Sequence, residues 1–362
     1  MKNAVRIAAA ALLAAGIGCS SGSGGGHTAV LDAMIISVPL GMDALATEAG
    51  DFTGDQIPDL AVLQVPEAPG GEGSVTIYPG TLDASSEPAP GTVFPVPAGA
   101  IDLASADLDG DGVLDLIIAL PSGIETIMMP EGDMETMPMI EEPQAVLAAD
   151  VTGDGLPDLI VALDGATALL VNLGGDQFAP PQMIDEGGVI ATADLNGNGD
   201  AEVLIAAGGA EVAVLDWSGT ALVIETTLLA PTPAIVSDVA AGDVSGDGIA
   251  DVVIATDGGI YVLAGDGLLG FTPLLAADVG PVSKVAVGDL SGDGVADIAY
   301  SPVSTTADAS VETLIADGTG GVSAGPAETL AGATDSLAIS DVDGSGSGDV
   351  VTDTATVLFS AP

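Results

Sequence analysis

Short apolar runs alternate with polar, glycine-rich turns along most of the chain. The runs QAVLAAD at 144–150 and SKVAVGD at 283–289 end in an aspartate, and DLIIAL at 115–120 and DVVIAT at 251–256 begin with one. All have strand length, many β-branched residues and no helical period. A glycine-rich hairpin signal such as YVLAGDGLLGF at 261–271 follows. The pattern predicts a repeated unit of strand, acidic loop, strand, short turn, strand, glycine-rich hairpin and strand.

The acidic loop of this unit occurs seven times, and we number the copies one to seven and their residues as positions 1 to 9. The copies are DFTGDQIPD from Asp51, DLDGDGVLD from Asp107, DVTGDGLPD from Asp150, DLNGNGDAE from Asp194, DVSGDGIAD from Asp243, DLSGDGVAD from Asp289 and DVDGSGSGD from Asp341. Consecutive first aspartates are separated by 43 residues (Asp107 to Asp150) up to 56 residues (Asp51 to Asp107). This period fits a four-stranded propeller blade better than an ankyrin or leucine-rich unit. An all-β fold is therefore predicted.

Oxygen-bearing side chains recur at positions 1, 3, 5 and 9 of each loop, with Gly at position 6 in every copy except the first. Ca²⁺ takes six to eight oxygen ligands, and a tight turn brings alternate side chains together while the position 7 carbonyl points inward. The candidate ligands are Asp51, Thr53, Asp55, Ile57 and Asp59; Asp107, Asp109, Asp111, Val113 and Asp115; Asp150, Thr152, Asp154, Leu156 and Asp158; Asp194, Asn196, Asn198, Asp200 and Glu202; Asp243, Ser245, Asp247, Ile249 and Asp251; Asp289, Ser291, Asp293, Val295 and Asp297; and Asp341, Asp343, Ser345, Ser347 and Asp349.

Electrostatics favours a cation in these loops, although a second interpretation stays open. Two carboxylates about 4 Å apart repel by about 4 kcal/mol at an effective dielectric constant near 20. The alternative is an Asp/Gly turn that caps its own backbone through side-chain hydrogen bonds and never holds metal. An EF-hand is excluded because position 12 carries no Glu in any copy, for example Val62 in the first and Ile118 in the second.

The segment VAVGDLSGDGVADI at 285–298 and its six relatives, with the hairpins NLGGDQF at 172–178 and GDGLLGF at 265–271, resemble the FG-GAP or VCBS repeat family, which also forms integrin α-subunit heads. The resemblance implies a seven-bladed β-propeller of four-stranded blades, with the acidic loop joining the first and second strands and binding Ca²⁺. Up to seven ions are expected, held most strongly in loops two, three, five and six. Loops one, four and seven depart from the pattern at Gln56, at Asn198 and Glu202, and at Ser345 respectively.

The ring is expected to close with a strand from near the N-terminus. Only 21 residues follow Asp341, enough for a second and a third strand, and DSLAIS at 335–340 supplies the first. Residues 29–40 contain the β-prone run MIISV and precede the first copy. We predict that this segment pairs outside TATVLFS at 354–360, which would cover an open sheet edge. The propeller is accordingly assigned to 29–362.

Residues 1–18 have the pattern of an export signal, with Lys2 and Arg6 ahead of a twelve-residue apolar run. Cys19, preceded by Gly16, Ile17 and Gly18, resembles the lipidated cysteine of a bacterial lipoprotein, and residues 19–28 form a Gly/Ser-rich tether. That resemblance implies removal of 1–18, lipidation of Cys19 and anchoring in the bacterial envelope, at the outer membrane or cell surface. Secretion without a lipid is the alternative.

The charge balance limits both partners and chemistry. Fifty-three acidic residues face three basic ones, for a net charge of −50, which argues against nucleic acid and leaves the lipid anchor as the membrane contact. One His, one Cys and one Trp leave little for nucleophilic catalysis, acid–base catalysis or sugar stacking. We therefore expect a monomeric, non-enzymatic platform that binds or adheres to an unknown protein or polysaccharide. The alternatives are a polymer-acting hydrolase or lyase, which needs only a pair of carboxylates, and a purely structural envelope protein.

Overall fold

A computed structural model describes residues 32–35, 42–66, 70–80, 90–137, 140–175, 177–230, 234–304, 309–330, 334, 336–353 and 356–359. The predicted signal segment 1–18, Cys19, the tether 19–28 and most of 29–40 lie outside these ranges. Within them the chain forms β-strands and turns but no helix, so no helix there could cross a bilayer. The all-β expectation is confirmed.

Seven antiparallel sheets of four strands make up the ring. The strands are β1 (Asp32–Ile35); in blade one β2 (Met42–Gly50), β3 (Asp59–Pro66), β4 (Gly73–Tyr78) and β5 (Val93–Val96); in blade two β6 (Asp102–Ala106), β7 (Asp115–Leu120), β8 (Gly123–Met128) and β9 (Asp133–Met137); in blade three β10 (Ala145–Ala149), β11 (Asp158–Leu163), β12 (Ala166–Leu170) and β13 (Gln182–Ile184); in blade four β14 (Val189–Ala193), β15 (Glu202–Ala206), β16 (Glu211–Trp217) and β17 (Leu222–Leu229); in blade five β18 (Val236–Gly242), β19 (Asp251–Thr256), β20 (Gly259–Gly265) and β21 (Phe271–Ala277); in blade six β22 (Val282–Gly288), β23 (Asp297–Pro302), β24 (Ala309–Ala316) and β25 (Val322–Leu330); and in blade seven β26 (Leu337–Ser340), β27 (Asp349–Thr352) and β28 (Thr356–Phe359).

Blade seven is completed by the N-terminal strand. Its sheet order is β1-β28-β27-β26, with β1 outermost and antiparallel to β28. The register pairs Asp32 with Phe359 and Ile35 with Thr356. In the other six blades the four strands follow one another in sequence order. The two ends of the described chain therefore share one sheet.

The core lies between the blades as well as within them. Each second strand is buried along most of its length; every residue of β7, for example, is buried. Apolar clusters join each blade to the next, and the cluster of Leu60 and Tyr78 with Val342 and Val351 joins blade seven back to blade one. Burial on both faces explains why these strands are continuous apolar runs in the sequence.

The first strands of six blades border a central cavity of about 840 Å³, lined mainly by Ala, Gly, Ser and Thr together with several acidic side chains. Glu48 and Asp102 are among the lining residues. Burial raises the pKa of Glu48 to about 8; the hydrogen bond from Ser105 Oγ to Glu48 Oε2 (3.0 Å) opposes this shift, and the charge of Asp102 adds to it. Small side chains are needed here because seven strands converge on one axis.

Candidate metal centre

Each acidic loop connects the first strand of its blade to the second. Position 9 is the first residue of the second strand in all seven blades, as Asp59 is in β3 and Glu202 is in β15. Position 1 follows directly after the first strand in all seven. Because every first strand runs in the same sense, the loops lie together on one face of the ring. The predicted placement between first and second strands is therefore what the structure shows.

The position 1 carboxylate organises its own loop. In loop two, Asp107 Oδ1 accepts hydrogen bonds from the N–H groups of Gly110 (2.8 Å) and Asp111 (3.0 Å), and Asp107 Oδ2 accepts one from Gly112 (2.9 Å). The same pattern recurs in loop six around Asp289. A carboxylate has about four acceptor sites, so these bonds leave lone pairs for a cation. Backbone capping and metal binding are thus compatible in one loop.

Two positions in every loop have left-handed backbone. Position 6 has φ between 65° at Gln56 and 96° at Gly199 across the seven copies. Position 4 is Gly in every copy, and its φ is also positive, from 71° at Gly344 to 81° at Gly110. The sequence reasoning singled out position 6 and missed position 4, although glycine at the same place in all seven copies was a readable signal.

Three carboxylates converge in two of the loops. Asp107, Asp109 and Asp115 of loop two, and Asp341, Asp343 and Asp349 of loop seven, each offer an oxygen within 4.8 Å of the others. Oxygens around one Ca²⁺ at about 2.3–2.6 Å are at most about 5 Å apart, so this spacing and the all-oxygen donor set fit the ion. Loop seven gathers its carboxylates as closely as loop two, because Asp343 supplies position 3.

The position 5 side chain lies outside these two groups. In loop two, Asp111 is exposed, and its Oδ1 accepts a hydrogen bond from the Val113 N–H (2.8 Å). The corresponding bond joins Asp293 to Val295 in loop six (2.9 Å). In loops two and seven the structure therefore brings positions 1, 3 and 9 together, and in loops two and six the position 5 side chain fixes the turn before position 7.

The remaining loops carry a hydroxyl or amide at position 3. Ser245 and Ser291 donate through Oγ to the position 1 carboxylates of loops five and six, each at 3.4 Å. In loops one and three this position is Thr53 and Thr152. In loop four the Asn196 side-chain amide donates to Glu202 Oε1. These loops hold fewer converging carboxylates than loops two and seven, but their donors are likewise oxygen-rich.

The position 9 carboxylate braces the blade in addition to facing the loop. It is fully buried in all seven copies. In loop two, Asp115 Oδ2 accepts the Leu108 N–H (2.8 Å) and Asp115 Oδ1 accepts the Met129 N–H at the end of the third strand (2.8 Å). Asp59 bridges Phe52 and Gly80 in the same way. This second role was not foreseen from the sequence, where position 9 was taken only as a ligand.

Burial disfavours the ionised form of the position 9 carboxylates. It raises the pKa of Asp115 to about 6, that of Asp297 to about 6 and that of Glu202 to about 7, in each case against the hydrogen bonds from backbone N–H groups. The charges of neighbouring loop aspartates add to the increase. A nearby cation would reverse this effect by stabilising the ionised form.

Solved structures share this architecture. An Agrocybe aegerita lectin described as recognising non-reducing terminal N-acetylglucosamine is 21% identical, with a TM-score of 0.57 over 88% of this chain and 86% of that one. The protein BBS1N, solved with ARL6DN, is 12% identical, with a TM-score of 0.59 over 92% and 96%. The exotype rhamnogalacturonan lyase YesX is 13% identical, with a TM-score of 0.53 over 88% and 72%. At these identities the similarity establishes the fold alone.

Sequence comparison identifies the repeat. No curated protein sequence matches the chain significantly. Four segments, residues 51–118, 150–205, 194–254 and 243–300, of which the last three overlap in turn, match the family described as FG-GAP-like repeat. Together they cover more than half of the chain, and each begins at the first aspartate of an acidic loop. The chain belongs to the FG-GAP-like repeat family.

Proposed function

We propose that this protein is a calcium-stabilised binding platform, exported and tethered to the bacterial envelope by a lipid on Cys19. The observation that carries the proposal is the row of acidic loops on one face, of which loops two and seven bring carboxylate oxygens of positions 1, 3 and 9 within 4.8 Å of one another. The family supports a platform role, since its repeats build a rigid ring with two broad faces.

Calcium would be held by the position 1 and position 9 carboxylates with the position 3 side chain and the position 7 carbonyl. The chemistry the ion supplies is charge neutralisation and cross-linking of the first and second strands. The chain's own contribution is preorganisation: Asp107 and Asp115 of loop two are already fixed by backbone N–H donors. A bound ion therefore stabilises the folded ring rather than reshaping it.

A non-enzymatic role is supported by where the perturbed carboxyl groups of the acidic loops lie. Asp115, Glu202 and Asp297 have raised pKa values because they are buried at the start of second strands. Each accepts hydrogen bonds from backbone N–H groups of its own blade. Their pKa shifts thus follow from structural bracing, and a general acid would need an open approach for substrate.

The segment between Cys19 and β1 sets how far the ring can lie from the lipid anchor. β1 begins at Asp32, thirteen residues after Cys19, so a fully extended link spans about 45 Å. Because β1 is the outermost strand of blade seven, the link leaves from the rim of the ring. We propose that both faces of the ring stay accessible to an unidentified protein or polysaccharide partner.

The lipid anchor and the platform can be tested separately. Expressed in a bacterial host, the full chain should fractionate with membranes, and the Cys19→Ala variant should be released into the soluble envelope fraction. Purified ring should then retain a partner from envelope extract in calcium and lose it when a chelator is added. Retention that is unchanged by chelator, or no specific retention in either condition, would contradict a calcium-dependent platform.

A further inference from the structure

Neighbouring acidic loops are joined by a repeated backbone hydrogen bond. The position 8 N–H of one loop donates to the position 1 carbonyl oxygen of the loop before it. The bond is present from Leu114 to Asp51 (2.9 Å), from Ala201 to Asp150 (2.7 Å), from Ala296 to Asp243 (2.9 Å) and from Gly348 to Asp289 (2.6 Å). It therefore links loops one and two, three and four, five and six, and six and seven.

The other three junctions lack this bond. Position 8 is Pro157 in loop three and Pro58 in loop one, and proline has no N–H to donate. At the junction of loops two and three, the Asn172 side-chain amide instead donates to the Leu108 carbonyl of loop two (2.9 Å) and to the Pro157 carbonyl of loop three (3.1 Å). These are the carbonyls of positions 2 and 8, so this bridge does not hold the peptide group that carries the position 7 carbonyl. In loop five position 8 is Ala250, whose N–H makes no hydrogen bond to the Asp194 carbonyl.

Packing of the position 4 glycine agrees with this division at two of the junctions that lack the bond. A methyl group built on Gly54 would lie 3.2 Å from Val113, and one on Gly153 would overlap Asp200, so these loops touch the next loop. At Gly110 and Gly197, next to the junctions without the bond, a methyl group would meet nothing within 4 Å. Two independent features thus separate loops two and three and loops four and five.

The linking N–H belongs to the same peptide group as the candidate carbonyl ligand. The position 8 N–H and the position 7 carbonyl share one planar trans peptide, in which the N–H and C=O point in opposite directions. Fixing the N–H of Ala296 on the preceding loop therefore fixes the direction of the Val295 carbonyl within loop six. Where position 8 is proline, as in Pro58, no N–H is present to fix that carbonyl through the preceding loop.

The connection continues into the preceding loop. The position 1 carbonyl that accepts the bond shares its peptide group with the position 2 N–H, and in loops one, three and six that N–H donates to the position 9 carboxylate. In loop five the Val244 N–H instead donates to the Gly242 carbonyl (2.9 Å), and the Ser245 N–H donates to Asp251 Oδ2 (2.7 Å). In loop one the Phe52 N–H donates to Asp59 Oδ2 (2.9 Å), and in loop six the Leu290 N–H donates to Asp297 Oδ2 (3.0 Å). Hydrogen bonds in such a series polarise and strengthen one another.

From these contacts we propose that the position 8 hydrogen bond couples adjacent calcium sites, and that the seven sites act as three groups: loops one and two, loops three and four, and loops five to seven. This inference rests on the proposed calcium binding. Occupancy of one loop fixes its position 1 peptide, which orients the carbonyl ligand of the next loop. Calcium affinity in loops two, four, six and seven therefore depends on the loop before them.

Proline substitution at position 8 tests the coupling, because the loop tolerates proline there in copies one and three. Ala296→Pro deletes the bond to Asp243, whereas the matched control Ala250→Pro deletes an N–H that makes no such bond. The amide signals of Gly294 and Gly248 report the two loops separately in a nuclear magnetic resonance titration with calcium. Each N–H donates to its own position 1 carboxylate, at 2.7 and 2.8 Å.

The loss of one hydrogen bond, about 1 kcal/mol, predicts that Ala296→Pro raises the half-saturating calcium concentration at Gly294 about fivefold. In Ala250→Pro the half-saturating calcium concentration at Gly248 should stay within about twofold of the parent value, because no linking hydrogen bond is lost. Equal shifts in the two variants, or none in either, would overturn the coupling while leaving calcium binding intact. Parent signals that do not respond to calcium would refute the proposed function itself. Should Ala296→Pro fail to fold in chelator, Ala201→Pro with Gly199 as reporter repeats the test.

Discussion

Replacing Gln56 with glycine should stabilise the ring. Gln56 is the only position 6 residue that is not glycine, and its φ is 65°, in the left-handed region. That conformation costs a side chain with a Cβ about 1–2 kcal/mol. Glycine avoids the strain but loses about 0.5–1 kcal/mol more backbone entropy on folding. The Gln56 N–H bond to Asp51 Oδ2 (2.7 Å) needs no side chain and is retained. The balance predicts a gain of about 0.5–1 kcal/mol in the free energy of unfolding.

Urea unfolding in chelator, followed by circular dichroism, measures this gain without any contribution from metal. Gln56→Ala is the matched control: it removes the same polar side chain but keeps the Cβ, so it should give little or no gain. The reverse change, Gly112→Ala at φ 91°, should cost about 0.5–1 kcal/mol by the same balance, and because no atom lies within 4 Å of the added methyl the cost is conformational. If Gln56→Ala stabilised the protein as much as Gln56→Gly, the backbone argument would be wrong.

Two further predictions concern buried carboxyl groups. Asp297→Ala should lower the free energy of unfolding in chelator by about 2–4 kcal/mol, because it leaves the N–H groups of Leu290 and Ala316 without an acceptor. The control Asp293→Ala, at an exposed position, should cost under about 1 kcal/mol. Equal losses in the two variants would show that the position 9 carboxylate does not stabilise the blade through these hydrogen bonds. Because the folded pKa of Glu48 lies near 8, above its unfolded value, the folded state binds the extra proton and stability from this group is lost as pH rises towards 8. In Glu48→Gln the side chain can still accept from Ser105 but does not titrate. Relative to the parent, its free energy of unfolding in urea titrations should therefore rise by up to about 1.4 kcal/mol per pH unit between about pH 5 and about pH 8; parallel pH profiles would contradict the assignment.

Much of the architecture could be predicted because the acidic loops mark each blade at a fixed point. The seven copies set the blade count, and the apolar runs on either side of each loop became its first and second strands, as with QAVLAAD and β10. The missing fourth strand of the last copy also pointed to the N-terminal segment, and the structure pairs Asp32–Ile35 with β28. These features follow from local patterns repeated along the chain.

The finer features of the site depend on contacts between distant residues. That Asp115 also accepts the Met129 N–H could not be read from the loop, since the donor comes from the end of the third strand. The links between loops depend on how two blades pack, and only Pro58 and Pro157 gave a sequence signal for where a link is impossible. No sequence signal marks the absence of the link at Ala250. Ala250 and Ala296 both have a backbone N–H, yet only Ala296 donates it to the preceding loop.

The most direct test of the account is the unfolding temperature of the purified ring in millimolar calcium compared with chelator. For dissociation constants of about 10⁻⁴–10⁻³ M, each occupied site contributes roughly 0.4–1.4 kcal/mol, so several sites together add several kcal/mol. The unfolding temperature should rise clearly with calcium and much less with magnesium, which demands stricter octahedral geometry. An unfolding temperature that is the same in calcium and in chelator would contradict the claim that these loops bind calcium.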